Sequence, residues 1–176
     1  MKKVIVSCVL LVLLVAMGFG VYYFIPKNIN ESINGVEYQL GSDHDQVNSV
    51  TIKIKGKLHQ SLLGKRKFVG LIDVKGANYP NPNKDRKLGI AFDQNGMGII
   101  EYGYYKNGHP KIDSYGILFA NNDFKKVTIG EYRENHDGKS WSGKDGWMIT
   151  GPANSKSKAL IISNELMKKF LHNKLK

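Results

Sequence analysis

The amino-acid sequence predicts an α+β protein, in which an N-terminal transmembrane helix precedes an antiparallel β-rich domain with one C-terminal amphipathic helix packed on the sheet. Three observations lead to this fold class. The 22 residues from Val4 to Ile25 carry no charge. Beyond them, short runs of alternating apolar and polar residues are separated by Gly, Asn and Pro, which is typical of strands joined by turns. From residue 155 onward, apolar positions recur with helical spacing.

The N-terminal apolar run is long enough for a membrane span. As a helix, its 22 residues extend about 33 Å, which exceeds the ~30 Å hydrocarbon core of a bilayer. We therefore expect residues 1–26 to be an uncleaved signal-anchor whose residues 4–25 contact the lipid bilayer. Lys2 and Lys3 precede the run and only Lys27 follows it closely, which predicts a cell-membrane, single-pass protein with a cytoplasmic N-terminus and the C-terminal domain outside.

Two other interpretations of this run stay open. Ala16-Met17-Gly18 has the small residues of a cleavage site, and cleavage there would release a secreted domain. The apolar run continues through Ile25, however, and its length favours the uncleaved anchor. Cys8, the only cysteine, follows Ile5-Val6-Ser7 as in a bacterial lipoprotein signal, but the apolar stretch before it is too short for a signal sequence.

The segment after the anchor predicts strands. Residues 27–34 are polar and predict a short tether, so the extracytoplasmic domain is expected to span residues 35–176. Val50, Ile52 and Ile54 alternate with polar residues, the period of a strand with one solvated face. Asn95-Gly96 lies between two such runs and predicts a hairpin turn. The predicted strands, which suit an antiparallel meander, are 36–40, 50–55, 68–74, 88–92, 97–105, 115–120, 124–132 and 147–150.

Residues 155–175 predict the amphipathic helix. Asn154 or Ser155 is a suitable N-cap, and Glu165 and Lys169 form a favourable pair four residues apart. The apolar stripe consists of Ala159, Ile162, Leu166, Met167 and Phe170. A strand over 159–162 before a shorter helix from Ser163 is the alternative for this segment.

Basic residues predict contact with a polyanion. Residues 28–176 contain 23 Lys and Arg against 15 Asp and Glu, a balance that favours lipid head groups, phosphate-rich polymers or nucleic acid, although solubility alone also explains it. Two polar loops, 75–87 and 134–146, lack apolar periodicity. In the second loop, Trp141 would stack on a ring or fill the core. The candidate contact residues are Lys65, Arg66, Lys67, Lys84, Arg86, Lys87 and Trp141.

No catalytic, cofactor or metal motif is complete. Gly138-Lys139-Ser140 lacks the first glycine of a phosphate-binding loop, because Arg133 stands at that position. Ser155 and Lys158 match a catalytic serine–lysine spacing, but the K-T-G element that accompanies it is absent. None of the five histidines has the spacing of a zinc motif. We therefore expect no cofactor, no metal site and no catalytic residue.

A longer pattern lies in the C-terminal half, with two shorter pieces before it. It comprises Trp141-Ser142-x-x-Asp145-Gly146-x-x-Ile149-x-x-Pro152-Ala153, then Ser163-Asn164-Glu165-Leu166-Met167, and earlier Phe68-x-Gly70-x-Ile72 and Tyr115-Gly116. In these segments the chain resembles uncharacterised membrane-anchored extracytoplasmic proteins of Gram-positive bacteria. The resemblance implies an exported β-rich domain and carries no known activity.

Together these features predict a non-enzymatic binding or structural module that contacts an anionic wall polymer, a lipid surface or an envelope protein. An envelope or cell-wall hydrolase is one alternative, and it would require Asp113, His109 or Asp137 to line one deep cleft. Extracellular nucleic-acid binding is another, and it would require interleaved aromatic and basic residues on one sheet face. Nucleic acid is the less favoured partner on the sequence alone, and the sequence predicts no oligomeric state.

Overall fold

The computed structural model describes residues 10–15, 18, 20, 25–41, 46–61, 63–77, 87–135 and 138–176. Eight strands form a closed antiparallel barrel, in which the last barrel strand closes the ring by pairing with the first strand and with the barrel strand that precedes it in the chain. The barrel strands are β1 (Lys27–Gln39), β2 (Asn48–Gln60), β3 (Arg66–Lys75), β4 (Leu88–Phe92), β5 (Met97–Lys106), β6 (His109–Ala120), β7 (Val127–Glu131) and β10 (Trp147–Gly151). Between β7 and β10, a separate hairpin is formed by β8 (Arg133–Asn135) and β9 (Gly138–Ser140).

Apolar side chains fill the barrel interior. On β2, Ile52 and Ile54 are buried while Lys53 between them and Lys55 after them are exposed, because successive side chains of a strand point to opposite faces. Gly56 and Gly70 pair across β2 and β3, and a Cβ on Gly70 would lie 2.7 Å from the ring of Phe68. The glycine pair therefore leaves room for that ring inside the barrel.

A second core lies between the outer wall of the barrel and the C-terminal helix (Lys156–Leu166). At its centre, the hydroxyl of Ser163 on the helix lies 2.9 Å from that of Tyr38, 2.9 Å from Thr128 and 2.8 Å from Thr150. All four side chains are buried, so their mutual hydrogen bonds avoid a cost of about 1–3 kcal/mol for each unpaired hydroxyl. This hydroxyl cluster fixes the helix on the barrel.

The helix begins at the predicted N-cap. The side-chain oxygen of Ser155 accepts a hydrogen bond from the backbone N–H of Lys158. The helix ends at Leu166, before the predicted end at residue 175. The chain then turns back, and the amide of Asn164 bonds both backbone groups of Leu175, which covers part of the outer core.

The predicted transmembrane helix is wrong. Within the described residues, no helix has the length and apolar character that crossing a bilayer demands. The prediction counted apolar residues alone, whereas a span needs about 20 consecutive residues in one helix. The single-pass membrane anchor and the predicted membrane location with an outside domain are therefore wrong as well. The remaining residues of the run, including Cys8, lie outside the described residues.

The predicted α+β sheet is also corrected. The chain is mostly β, and its strands close into a barrel rather than an open sheet covered by a helix. Residues 27–34, predicted as a tether, form the first part of β1 and pair with β2 from Lys27↔Leu58 to Asn34↔Thr51. Asn28, Asn30 and Asn34 concealed a strand because they lie on its outer face, while Ile29 and Ile33 are buried inside.

Candidate anion-binding groove

A groove of about 600 Å³ lies on the outer wall of the barrel across β1, β2 and β3. We call it the lysine groove. Its polar lining consists of Asn28, Asn30, Lys55, Lys57, His59 and Lys87. Val69 and Leu71 of β3 form its apolar floor, and none of the described residues that line it is acidic.

Strand pairing brings these side chains together. Residues paired in register on adjacent strands lie side by side on the same face, with Cβ atoms about 4.5–5.5 Å apart. Two rows of such partners cross the groove. They are Asn28–Lys57–Val69 and Asn30–Lys55–Leu71. Each row therefore presents an amide, an ammonium group and an apolar side chain in the same order.

The lysines of the groove are available for an anionic ligand. Lys55, Lys57 and Lys87 are exposed, and none of them forms an ion pair with an acidic group of the described residues. Their alkyl stems can lie along the apolar floor while the ammonium groups stay in water. Lys53 precedes Lys55 on the same outer face of β2, and alternate residues of a strand are about 6.7 Å apart. The outer face of β2 thus carries three lysines in series, and Asp73 of β3 pairs in register with the first of them, Lys53.

The sequence pointed to part of this groove. The alternation of Val50, Ile52 and Ile54 with lysines indicated that the lysines share one solvated face. The amides of β1 were missed because residues 27–34 were assigned to a tether. A strand period of two, with Ile29 and Ile33 as its inner positions, was the signal that could have found them.

The predicted contact residues fall into different environments. Lys65 is exposed in the turn between β2 and β3, and Lys67 is exposed on the outer face of β3. Lys87 lines the lysine groove. Lys84 and Arg86 lie outside the described residues. The contact role of all five stays a prediction.

Arg66 and Trp141 are engaged within the fold. The guanidinium of Arg66 donates to the carbonyl of Ala120 at 3.2 Å and to the side chain of Asn122 at 2.9 Å. It also lies 4.7 Å above the centre of the Phe92 ring, and burial lowers the pKa of Arg66. Trp141 packs against the outer core and donates its indole N–H to the sulfur of Met148 at 3.1 Å. The contact role of these two residues also stays a prediction.

A second polar site, the polar plug formed by Glu37, Glu131 and Arg133, lies at one end of the barrel. Arg133 Nη2 donates to Glu37 at 3.1 Å and to Glu131 at 2.9 Å, and the Arg133 guanidinium lies 3.8 Å above the ring of Trp147. Asn48 donates to the other oxygen of Glu37 at 3.0 Å. One guanidinium therefore balances two carboxyl groups that are 4–5% exposed.

Burial gives Glu131 an unusual protonation equilibrium. Desolvation is the largest cause that raises the pKa of Glu131 to about 7, Arg133 opposes the rise, and the nearby carboxyl of Glu37 adds to it. One oxygen of Glu131 has no hydrogen-bond donor among the described residues. A proton on Glu131 supplies a donor that can bond Glu37, which lies within hydrogen-bonding reach. The two carboxyl groups of the plug are buried, whereas the Arg133 side chain is 42% exposed and lines a shallow depression together with Glu131.

Among the described residues, Asp113 and His109 do not line the same depression beside the plug. A shallow depression of about 270 Å³ beside it contains Asp113, whose carboxylate is held by the Lys139 ammonium at 2.7 Å. His109 does not line this depression, and Asp137 lies outside the described residues. In the part of the chain that the structure describes, no group of three or more His, Cys, Asp or Glu side chains is placed to hold a metal ion.

Comparison with known proteins gives no relative for this chain. No family model, no curated protein and no solved structure matches it. The resemblance to uncharacterised proteins of Gram-positive bacteria therefore stays a prediction.

Proposed function

We propose that this chain is a non-enzymatic binding module that holds an anionic polymer in the lysine groove. The observation that carries the proposal is the convergence of Lys55, Lys57 and Lys87 in one depression that no acidic residue lines among the described positions. Asn28 and Asn30 add amide donors on the same wall. Unpaired ammonium groups beside amides suit phosphate or carboxylate oxygens, because charged hydrogen bonds are about twice as strong as neutral ones.

The arrangement favours a polymer over a single small anion. Lys53, Lys55 and Lys57 follow one another on the outer face of β2, so a ligand with repeated charges can bond several of them in series. Each of these lysines is exposed, so each contact is weak and screened by salt beyond about 8–10 Å. Affinity therefore requires several simultaneous contacts, which a chain of linked anions provides.

The test compares two variants that lose the same number of positive charges. One variant loses them inside the groove, and the control loses them elsewhere on the surface. Lys55→Gln/Lys57→Gln removes two groove charges. The control Lys158→Gln/Lys168→Gln removes two charges from exposed positions in the C-terminal segment. Binding of fluorescently labelled long-chain polyphosphate is measured for both by titration at low and physiological salt.

We expect the groove variant to bind about two- to thirtyfold more weakly than the native protein, since each of the two lost ionic contacts is worth about 0.2–1 kcal/mol, and the control to bind nearly as well as the native protein. Equal weakening in both variants would show that only the overall positive charge matters. Absence of polyphosphate binding to the native protein at low salt would refute the proposal directly. Circular dichroism of each variant checks that the barrel is intact.

A further inference from the structure

A second depression of about 430 Å³ adjoins the lysine groove on the outer wall of β4, β5 and β6. Lys87 lines both depressions, so they are neighbouring parts of one surface. The second depression, here called the ring pocket, is formed mainly by Gly103, Tyr105, Pro110 and Ile112.

Register places these four residues on one face of the β5–β6 hairpin. Gly103 pairs with Ile112, and Tyr105 pairs with Pro110 two residues further along. Tyr105 is 75% exposed and Ile112 is 73% exposed, which is unusual for two large apolar side chains that lie close together. The nearest atom to a Cβ placed on Gly103 would be the Lys111 carbonyl oxygen at 3.9 Å. The glycine therefore leaves an open space between the tyrosine and the isoleucine.

Charge distinguishes the ring pocket from the lysine groove. Lys87 and Lys111 line the ring pocket together with the carboxylate of Glu101, which accepts a hydrogen bond from the Ser114 hydroxyl at 3.1 Å. A carboxylate repels a second phosphate, whereas apolar and aromatic side chains favour an uncharged ring. The surface thus offers an anion site and a ring site that share one lysine.

From these observations we infer that the outer wall of the barrel binds single-stranded nucleic acid, with phosphates on Lys55, Lys57 and Lys87 and a base stacked on Tyr105 and Ile112. This rests on the proposed function and names the polymer. Adjacent strands are about 4.8 Å apart, so the distance from β2 to β5 is about 14 Å. That distance accommodates a few nucleotides. Basic grooves beside exposed aromatic side chains are the means by which proteins hold single strands without sequence preference.

The experiment compares three ligands of similar charge by fluorescence anisotropy. They are oligothymidylate, an abasic oligodeoxynucleotide of the same length, and inorganic polyphosphate. The variants are Tyr105→Ala, Ile112→Ala and the conservative Tyr105→Trp. Ile161→Ala serves as a matched control, because Ile161 is 69% exposed on the C-terminal helix.

We expect the native protein to bind oligothymidylate more tightly than the abasic strand. Tyr105→Ala should weaken oligothymidylate binding by about five- to a hundredfold, the range for loss of one stacked base, and should leave abasic and polyphosphate binding unchanged. Tyr105→Trp should retain the preference, and Ile161→Ala should have no effect. With single-stranded ligand, three phosphate contacts predict a slope of about −2 for the logarithm of affinity against the logarithm of salt concentration.

The outcomes separate this inference from the proposed function. Equal affinity for oligothymidylate and the abasic strand, or no effect of Tyr105→Ala, would overturn base stacking while leaving polyanion binding in place if Lys55→Gln/Lys57→Gln still weakens it. Failure of all three ligands to bind would overturn both. Tyr105-dependent binding of an uncharged oligosaccharide without binding of oligothymidylate would identify a sugar ligand and refute the nucleic-acid inference.

Discussion

Replacing Glu131 with glutamine is expected to remove much of the pH dependence of folding between about pH 5 and pH 8. The pKa of Glu131 rises from an ordinary 4.5 to about 7 in the folded protein, chiefly through burial. Its neutral form is therefore the one that the fold favours. The free energy of unfolding should fall as the pH rises from the unfolded pKa through the folded pKa, and should level off above it.

The size of this effect follows from the shift. Each pKa unit corresponds to about 1.4 kcal/mol. A rise from 4.5 to about 7 therefore predicts that the free energy of unfolding is roughly 3 kcal/mol lower at the alkaline limit than at the acidic limit. Glutamine resembles the protonated carboxyl. Its carbonyl oxygen can accept from Arg133 and its amide can donate to Glu37. We expect Glu131→Gln to be about as stable as the native protein at pH 5 and about 1–3 kcal/mol more stable at pH 8.

Urea unfolding at pH 5, 6, 7 and 8 measures this difference, and the fluorescence of Trp147 reports on the plug because its ring lies beneath Arg133. Glu134→Gln is the matched control, since Glu134 is an exposed carboxyl on β8 next to Arg133. Parallel pH profiles for native protein and Glu131→Gln would refute the assignment of a buried, proton-binding carboxyl. The control should follow the native profile.

Two further predictions concern the cores of the barrel. Gly70→Ala should lower the free energy of unfolding by about 1–3 kcal/mol, because a Cβ there would lie 2.6 Å from Gly56 Cα. The control Gly89→Ala should be nearly neutral in thermal unfolding, because its Cβ would meet only a Lys67 side-chain atom at 3.9 Å. Equal melting temperatures for the two variants would contradict the packing argument. Ser163→Ala should lower the free energy of unfolding, measured with urea, by about 1–3 kcal/mol, since three buried hydroxyls lose a partner. A decrease of less than about 0.5 kcal/mol would show that the hydroxyl cluster does not hold the helix.

Local sequence patterns located most of the strands but not their arrangement. The alternating run from Val50 and the Asn95-Gly96 turn reflect interactions between near neighbours, and both elements are present in the structure. Barrel closure depends instead on pairing of β1 with β10, for example Val36↔Thr150. Contacts over such a sequence separation leave no periodic signal, so the sequence predicted a sheet where the chain forms a barrel.

The candidate sites also depend on contacts between residues that are far apart in the sequence, which local patterns do not predict. Outward-facing lysines on β2 follow from alternation, whereas their convergence with Asn28 and Lys87 requires knowledge of which strands flank β2 and β3. The polar plug joins Glu37 to Arg133, which is 96 positions away, and neither residue belongs to a recognisable motif. The apolar N-terminal run misled because hydropathy measures composition alone, and no helix among the described residues has the length and apolar character of a span.

The most direct test of the lysine groove is a two-dimensional ¹H–¹⁵N NMR titration of the native protein with polyphosphate. The largest amide shifts are expected on adjoining strands of one wall, at Asn28, Lys55, Lys57 and Leu71, and they should diminish as salt is added. Shifts distributed evenly over all exposed lysines, or centred on Lys158 and the rest of the C-terminal helix, would contradict a specific groove.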